Sequence, residues 1–225
     1  MSIIWDTLIE LKNYFENSLT KDGQSVEESE MKNFERDWWN NLVWKSSIYR
    51  RAHLEIIDAR NAKGMWILHC CIFPHTDNPA PIFGFDIIAG KNKITGCFHD
   101  FSPAGDSNHS LVIWFGKEVS NYNWKKPREL PDWGKRIFSE HMIAVGNVQK
   151  EQELYQIKNL VQKTLDHYLM NVGKTRNQTI STKDQQNYYA KNQKMNLHTP
   201  RFLVSLGLSE EKANTFVQQC LFPEI

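Results

Sequence analysis

The chain has 225 residues, 40% hydrophobic and 12% aromatic, which is enough apolar material for one large core and excludes a disordered or fibrous chain. Its 27 Lys and Arg stand against 26 Asp and Glu, a formal charge of +1, so no global field draws in nucleic acid or anionic lipid and neither partner is expected. The longest apolar stretch, residues 65–74, is interrupted by His69 and is too short to cross a bilayer, and the first residues lack the pattern of a secretory signal. A single domain over residues 1–225, cytoplasmic and monomeric, is expected.

In chain order, Leu8, Leu11 and Phe15 recur at helical spacing and predict a helix over residues 4–19. Residues 26–36 carry Glu27, Glu28, Glu30 and Glu35 and read as a solvated helix that enters the core through Trp38, Trp39 and Trp44. The pattern then changes to four β-rich runs, 49–58, 65–73, 82–88 and 94–101, separated by Gly64, Pro79, Pro81 and Gly90. These predict a meander of antiparallel strands, with a further strand over 137–145. Leu154, Ile157, Val161, Leu165 and Leu169 mark the longest helix, 148–170, with a stop near Gly173. Residues 171–201 set Lys174, Arg176, Lys183, Lys191, Lys194 and Arg201 against Asp184, the one basic region, and a closing helix starts near Ser209. Helices at both ends of a run of strands predict an α/β fold, a three-layer α/β/α sandwich with a central antiparallel sheet flanked by helices.

Chemistry-bearing residues interrupt the apolar strands. His53 and Glu55, two apart, share one face of a strand. His69 sits in Trp66-Ile-Leu-His-Cys-Cys-Ile-Phe-Pro and Asp86 in Phe83-Gly-Phe-Asp-Ile-Ile, where a buried imidazole needs a hydrogen-bond partner and a buried carboxyl has a raised pKa. From the residues alone, these four groups read first as a satisfied structural network, some of them facing solvent on alternating strands, and otherwise as proton donors in a site. Cys70, Cys71, Cys97 and Cys220 include no Cys-x-x-Cys pair and read as reduced thiols, and no metal site is expected. The chain has no phosphate-loop, dinucleotide or nucleophile-elbow motif, and no bound cofactor is expected.

Several blocks resemble the ferredoxin-dependent bilin reductases, most closely the phycocyanobilin:ferredoxin oxidoreductase branch and its viral phycoerythrobilin-forming relatives. Tyr49-Arg-Arg-Ala-His-Leu-Glu is similar to that family's strand with a His-x-Glu pair, and Ile67-Leu-His-Cys-Cys-Ile-Phe-Pro to its central histidine strand. Pro81-Ile-Phe-Gly-Phe-Asp-Ile-Ile-Ala-Gly resembles its aspartate strand, and His99-Asp-Phe-Ser-Pro the strand end that follows. Arg128-Glu-Leu-Pro-Asp-Trp-Gly resembles its next block.

The resemblance implies that biliverdin IXα lies between the sheet and the C-terminal helices. Asp86 would donate protons with His69 as partner, and His53 and Glu55 would supply or relay others. Arg128 would grip a propionate, and Thr95 and Asn196 would contact substrate. Reduced [2Fe-2S] ferredoxin would supply electrons one at a time, and the basic region with Lys125, Lys126, Lys135 and Arg136 offers it a docking surface. The phycocyanobilin-forming relatives carry an aspartate and then a lysine where Asn196 and Leu197 stand here, which points to phycoerythrobilin through 15,16-dihydrobiliverdin. Phycocyanobilin, favoured by the retained His53 and Glu55, and a non-catalytic bilin carrier are the alternatives. The setting implied is the cytoplasm of a phototroph or of a virus-infected phototroph.

Overall fold

A computed structural model describes residues 2–124 and 126–225. Its centre is a seven-stranded antiparallel sheet in which every strand pairs with the next one in the chain. The strands are β1 (Gln24–Val26), β2 (Trp39–Lys45), β3 (Arg51–Ala59), β4 (Met65–Phe73), β5 (Ile82–Gly90), β6 (Ile94–Ser102) and β7 (Ile143–Val145). Alternation of side chains gives this sheet two buried faces. Phe83, Phe85 and Ile87 of β5 join one core, while Ile82 of the same strand joins the other.

Helices α1 (Ile3–Asp22), α4 (Ser110–Val119) and α6 (Glu151–Asn171) cover the first face. The stripe Leu8, Leu11, Phe15 and Leu19 of α1 is fully buried, and Phe15 stacks on Phe85 with ring centroids 5.6 Å apart. Each such side chain contributes roughly 1.5–3 kcal/mol on burial. The Tyr168 hydroxyl of α6 donates to the Pro81 carbonyl at 2.8 Å, anchoring the helix to the start of β5. The second face is covered by α7 (Lys183–Gln193), α8 (His198–Ser205), α9 (Glu210–Thr215) and the π-helical turn Phe216–Leu221. One-turn helices α2 (Ser29–Lys32), α3 (Arg60–Lys63) and α5 (Asp132–Lys135) complete the chain. The α/β/α sandwich is the expected one. No helix among the described residues is long and apolar enough to cross a membrane.

Four local expectations are corrected. The segment read as a solvated helix, 26–36, holds only the end of β1 and the single turn α2, and the tryptophan-rich stretch after it is strand β2. Within that strand Trp39 and Val43 face one core and Trp44 the other. The strand expected over 137–145 is reduced to β7, because the Ser139 amide is taken by the Asp100 carboxyl instead of a neighbouring strand. Helix α4 was not expected; His109 starts it, its Nδ1 accepting from the Leu111 amide at 3.2 Å. The basic region is partly neutralised, since Arg176 pairs with Asp77 at 2.7 Å and Lys194 with Glu224 at 2.8 Å. Lys125 lies outside the described residues.

Candidate active site

Strand register assembles the polar residues that the sequence scatters over 45 positions. Asn41 on β2 lies opposite Glu55 on β3, Glu55 opposite His69 on β4, and His69 opposite Asp86 on β5. They form one row across four neighbouring strands about 5 Å apart. His53 stands beside the row, with Nε2 3.0 Å from Asn41 Oδ1 and its ring 6.3 Å from that of His69. The Trp39 indole N–H donates to Glu55 at 2.9 Å.

Above the row lies a cavity of about 1080 Å³, whose walls include Arg128, Trp133, Tyr189, Asn196, Arg201 and Phe222. Its size and mixed apolar and polar lining suit a large flat ligand. Phe222, brought over the sheet by the π-helical turn, meets His69 edge to face at 5.8 Å and 83°.

Burial sets the protonation states. It pushes Asp86 up to about 7. It pushes Glu55 up to about 8, outweighing the bond from Trp39, with a smaller rise from the charge of Asp86. Burial also lowers His69 to about 4, with the Arg51 guanidinium adding to the effect, and His53 is depressed by burial, Arg51 and His69. Arg51 is itself buried, paired with Glu28 at 2.8 Å and donating to the Cys220 carbonyl at 2.8 Å. Near neutral pH the row therefore holds two protonated or partly protonated carboxyls beside two neutral imidazoles. The site keeps its protons on carboxyls, and His69 is neutral, its Nδ1 buried without a hydrogen-bond partner among the described residues.

A family model for the ferredoxin-dependent bilin reductases matches residues 4–223. The chain belongs to that family. It is 29% identical to the phycocyanobilin:ferredoxin oxidoreductase of Synechococcus elongatus over 189 residues, 81% of this chain and 74% of that protein. The solved structure of PcyX is 31% identical and similar over 97% of this chain and 99% of that one, with a TM-score of 0.72. Phytochromobilin synthase from tomato, solved in complex with biliverdin, is 15% identical and shares the fold over 94% of this chain and 82% of its own, with a TM-score of 0.77.

As a bilin reductase, the protein is an oxidoreductase acting on open-chain tetrapyrroles, and its cavity matches such a ligand in kind. Glu55, His69 and Asp86 line that cavity. His53, on the same face but wholly buried, is not part of the lining. Arg128 lines the mouth, exposed, its guanidinium held by the Thr95 carbonyl and lying 5.9 Å from the Phe98 ring. Thr95 departs from expectation: it is not part of the lining, because its hydroxyl donates to the Ile88 carbonyl at 3.0 Å beside an irregularity in the β5–β6 ladder. Asn196 lines the cavity, but its Oδ1 also accepts from the His198 amide at 3.0 Å and starts α8.

Among the polar and aromatic groups of the bilin reductase cavity that the sequence reading passed over are Asp100, Tyr189 and Phe222. Asp100 lies on the same face of the sheet as Asp86, a placement that alternation along Gly96, Phe98 and Asp100 could have revealed. Tyr189 comes from α7, whose polar sequence shows little periodicity, and Phe222 from the turn beyond α9. Neither has a local signal that marks it as part of a site.

Proposed function

We propose that this bilin reductase carries out the four-electron reduction of biliverdin IXα to phycoerythrobilin through 15,16-dihydrobiliverdin. Reduced [2Fe-2S] ferredoxin delivers the electrons singly, and the protein supplies one proton for each. The observation that carries this reading is the row Glu55, His69 and Asp86 beneath a cavity of about 1080 Å³, with both carboxyls raised towards or above neutrality. Asp86, with a value of about 7, can lend a proton to a pyrrole nitrogen or lactam oxygen. A protonated bilin accepts an electron more readily than a neutral one, so the acid lowers the barrier to each single-electron step. Glu55, one strand pair further along, holds the next proton, and neutral His69 between them can pass it on.

Asn196 on the cavity wall supports the phycoerythrobilin outcome, since an amide brings no titrating proton to that part of the site. His53 and Glu55 together favour phycocyanobilin as the second reading. The test is an anaerobic assay with biliverdin and reduced ferredoxin, followed by absorption and chromatography. Loss of biliverdin absorbance with formation of phycoerythrobilin is expected. Phycocyanobilin would overturn the product assignment, and bound but unreduced biliverdin would show a carrier.

A further inference from the structure

The row beneath the cavity holds two carboxyl protons, whereas a four-electron reduction consumes four. A third carboxyl lies against the same cavity. Asp100 on β6 is 1% exposed and faces the same side of the sheet as Asp86. Asp86 pairs with Phe98 and Gly84 with Asp100, which makes the two aspartates diagonal neighbours about 7–8 Å apart. The residue between them, Gly84, has no side chain to separate them.

Asp100 is part of a hydrogen-bonded line. It accepts from the Ser102 hydroxyl at 2.8 Å, from the Ser139 amide at 2.9 Å and from the Ser139 hydroxyl. Burial still outweighs these bonds and raises its pKa. The Ser102 hydroxyl also lies beside the hydroxyl of Tyr189, which takes a bond from the Gln193 amide at 2.7 Å. The Tyr189 oxygen lies over Gly84, 3.5 Å from the point that a side-chain carbon there would occupy. Hydroxyl groups thus lead from Asp100 through Ser102 to the neighbourhood of a phenol above the strand that carries Asp86.

We propose that Asp100, Ser102 and Tyr189 form a second proton-delivering arm, on the opposite side of Asp86 from Glu55, that serves the later half of the reduction. This rests on the functional reading above. A bilin that has gained one electron from ferredoxin takes the phenol proton of Tyr189. Tyr189 recovers a proton from Ser102, and Ser102 from Asp100. Asp100 is recharged through the Ser139 hydroxyl, whose residue is 8% exposed at the edge of the site. Each cycle moves one proton inward for one electron accepted and leaves the three side chains as they began. Tyr189 is the delivering group; Asp100 and Ser102 act through it.

The test follows single turnovers of Tyr189→Phe, Ser102→Ala and Ser102→Thr with reduced ferredoxin, timing the two-electron intermediate and the final product. Tyr189→Phe and Ser102→Ala are expected to lower the ratio of second-step to first-step rate at least tenfold, so that the two-electron-reduced bilin accumulates. Ser102→Thr, which keeps the hydroxyl, is expected to hold the wild-type ratio. An unchanged ratio in Tyr189→Phe would overturn the arm, as would an equal fall in Ser102→Thr and Ser102→Ala, which marks a packing effect. If the wild type leaves biliverdin unreduced, it is the functional reading that fails.

Discussion

Glu55 shows what it costs to keep a proton donor in the core. Its carboxyl ionises near 4.5 in an unfolded chain and near 8 in the folded one, so the folded state binds the extra proton between those values. Stability is therefore undiminished below about pH 4.5 and falls as pH rises towards 8. Glu55→Gln keeps an oxygen for the Trp39 indole and removes the ionisation. Thermal melting should show it more stable than wild type at pH 8.5, by on the order of 2–4 kcal/mol, and nearly equal to it at pH 4.5. A gain independent of pH would contradict the raised value. Asp86 obeys the same sign over a window from about 4 to about 7. Asp86→Asn should retain biliverdin binding while turnover falls by roughly 10²–10⁴-fold, as removal of a positioned acid does. Turnover within twofold of wild type would remove Asp86 from the donor role.

At the level of elements, legibility followed composition and the turn signals that bound a segment. Strands β3 to β6 were readable because each is a compact β-rich run closed by Gly or Pro, and a polar residue inside such a run stands out. That is why His53, Glu55, His69 and Asp86 could be picked from sequence. Their alignment into a row could not, because it depends on the register between strands. β2 was lost because it follows directly on an acid-rich run with no Gly or Pro to mark its ends, and α4 because Leu111, Val112 and Ile113 resemble a strand until His109 is seen to cap them. The closing helix was legible from its cap: the Ser209 hydroxyl accepts from the Lys212 amide at 3.2 Å. Ser209→Ala should cost about 1 kcal/mol in a denaturant titration, with the slope unchanged. No loss would mean that tertiary contacts alone hold α9.

For the whole molecule, the near-zero net charge is matched by local pairing, and much of the basic region is spent on Asp77 and Glu224 rather than left open. A cavity that lies between two layers instead links ligand binding to global stability, because its floor is the sheet and its roof the helical layer packed on it. Biliverdin at a hundred times its Kd should stabilise the fold by about 2.7 kcal/mol and raise Tm by roughly 5–10 °C. Calorimetry in the presence and absence of biliverdin checks this, and an unchanged Tm would mean that the folded chain does not bind the pigment.

The strictly sequential order of the strands has a consequence for the growing chain. The floor is finished when β6 leaves the ribosome at Ser102, whereas the roof begins only with α7 at Lys183. At ordinary synthesis rates the half-built site stays open on the order of ten seconds. During that interval the floor, with its row of Glu55, His69 and Asp86, is uncovered, and pigment can reach it before the last helices close. Cell-free translation with biliverdin present from the start should therefore yield more folded reductase than translation with pigment added afterwards.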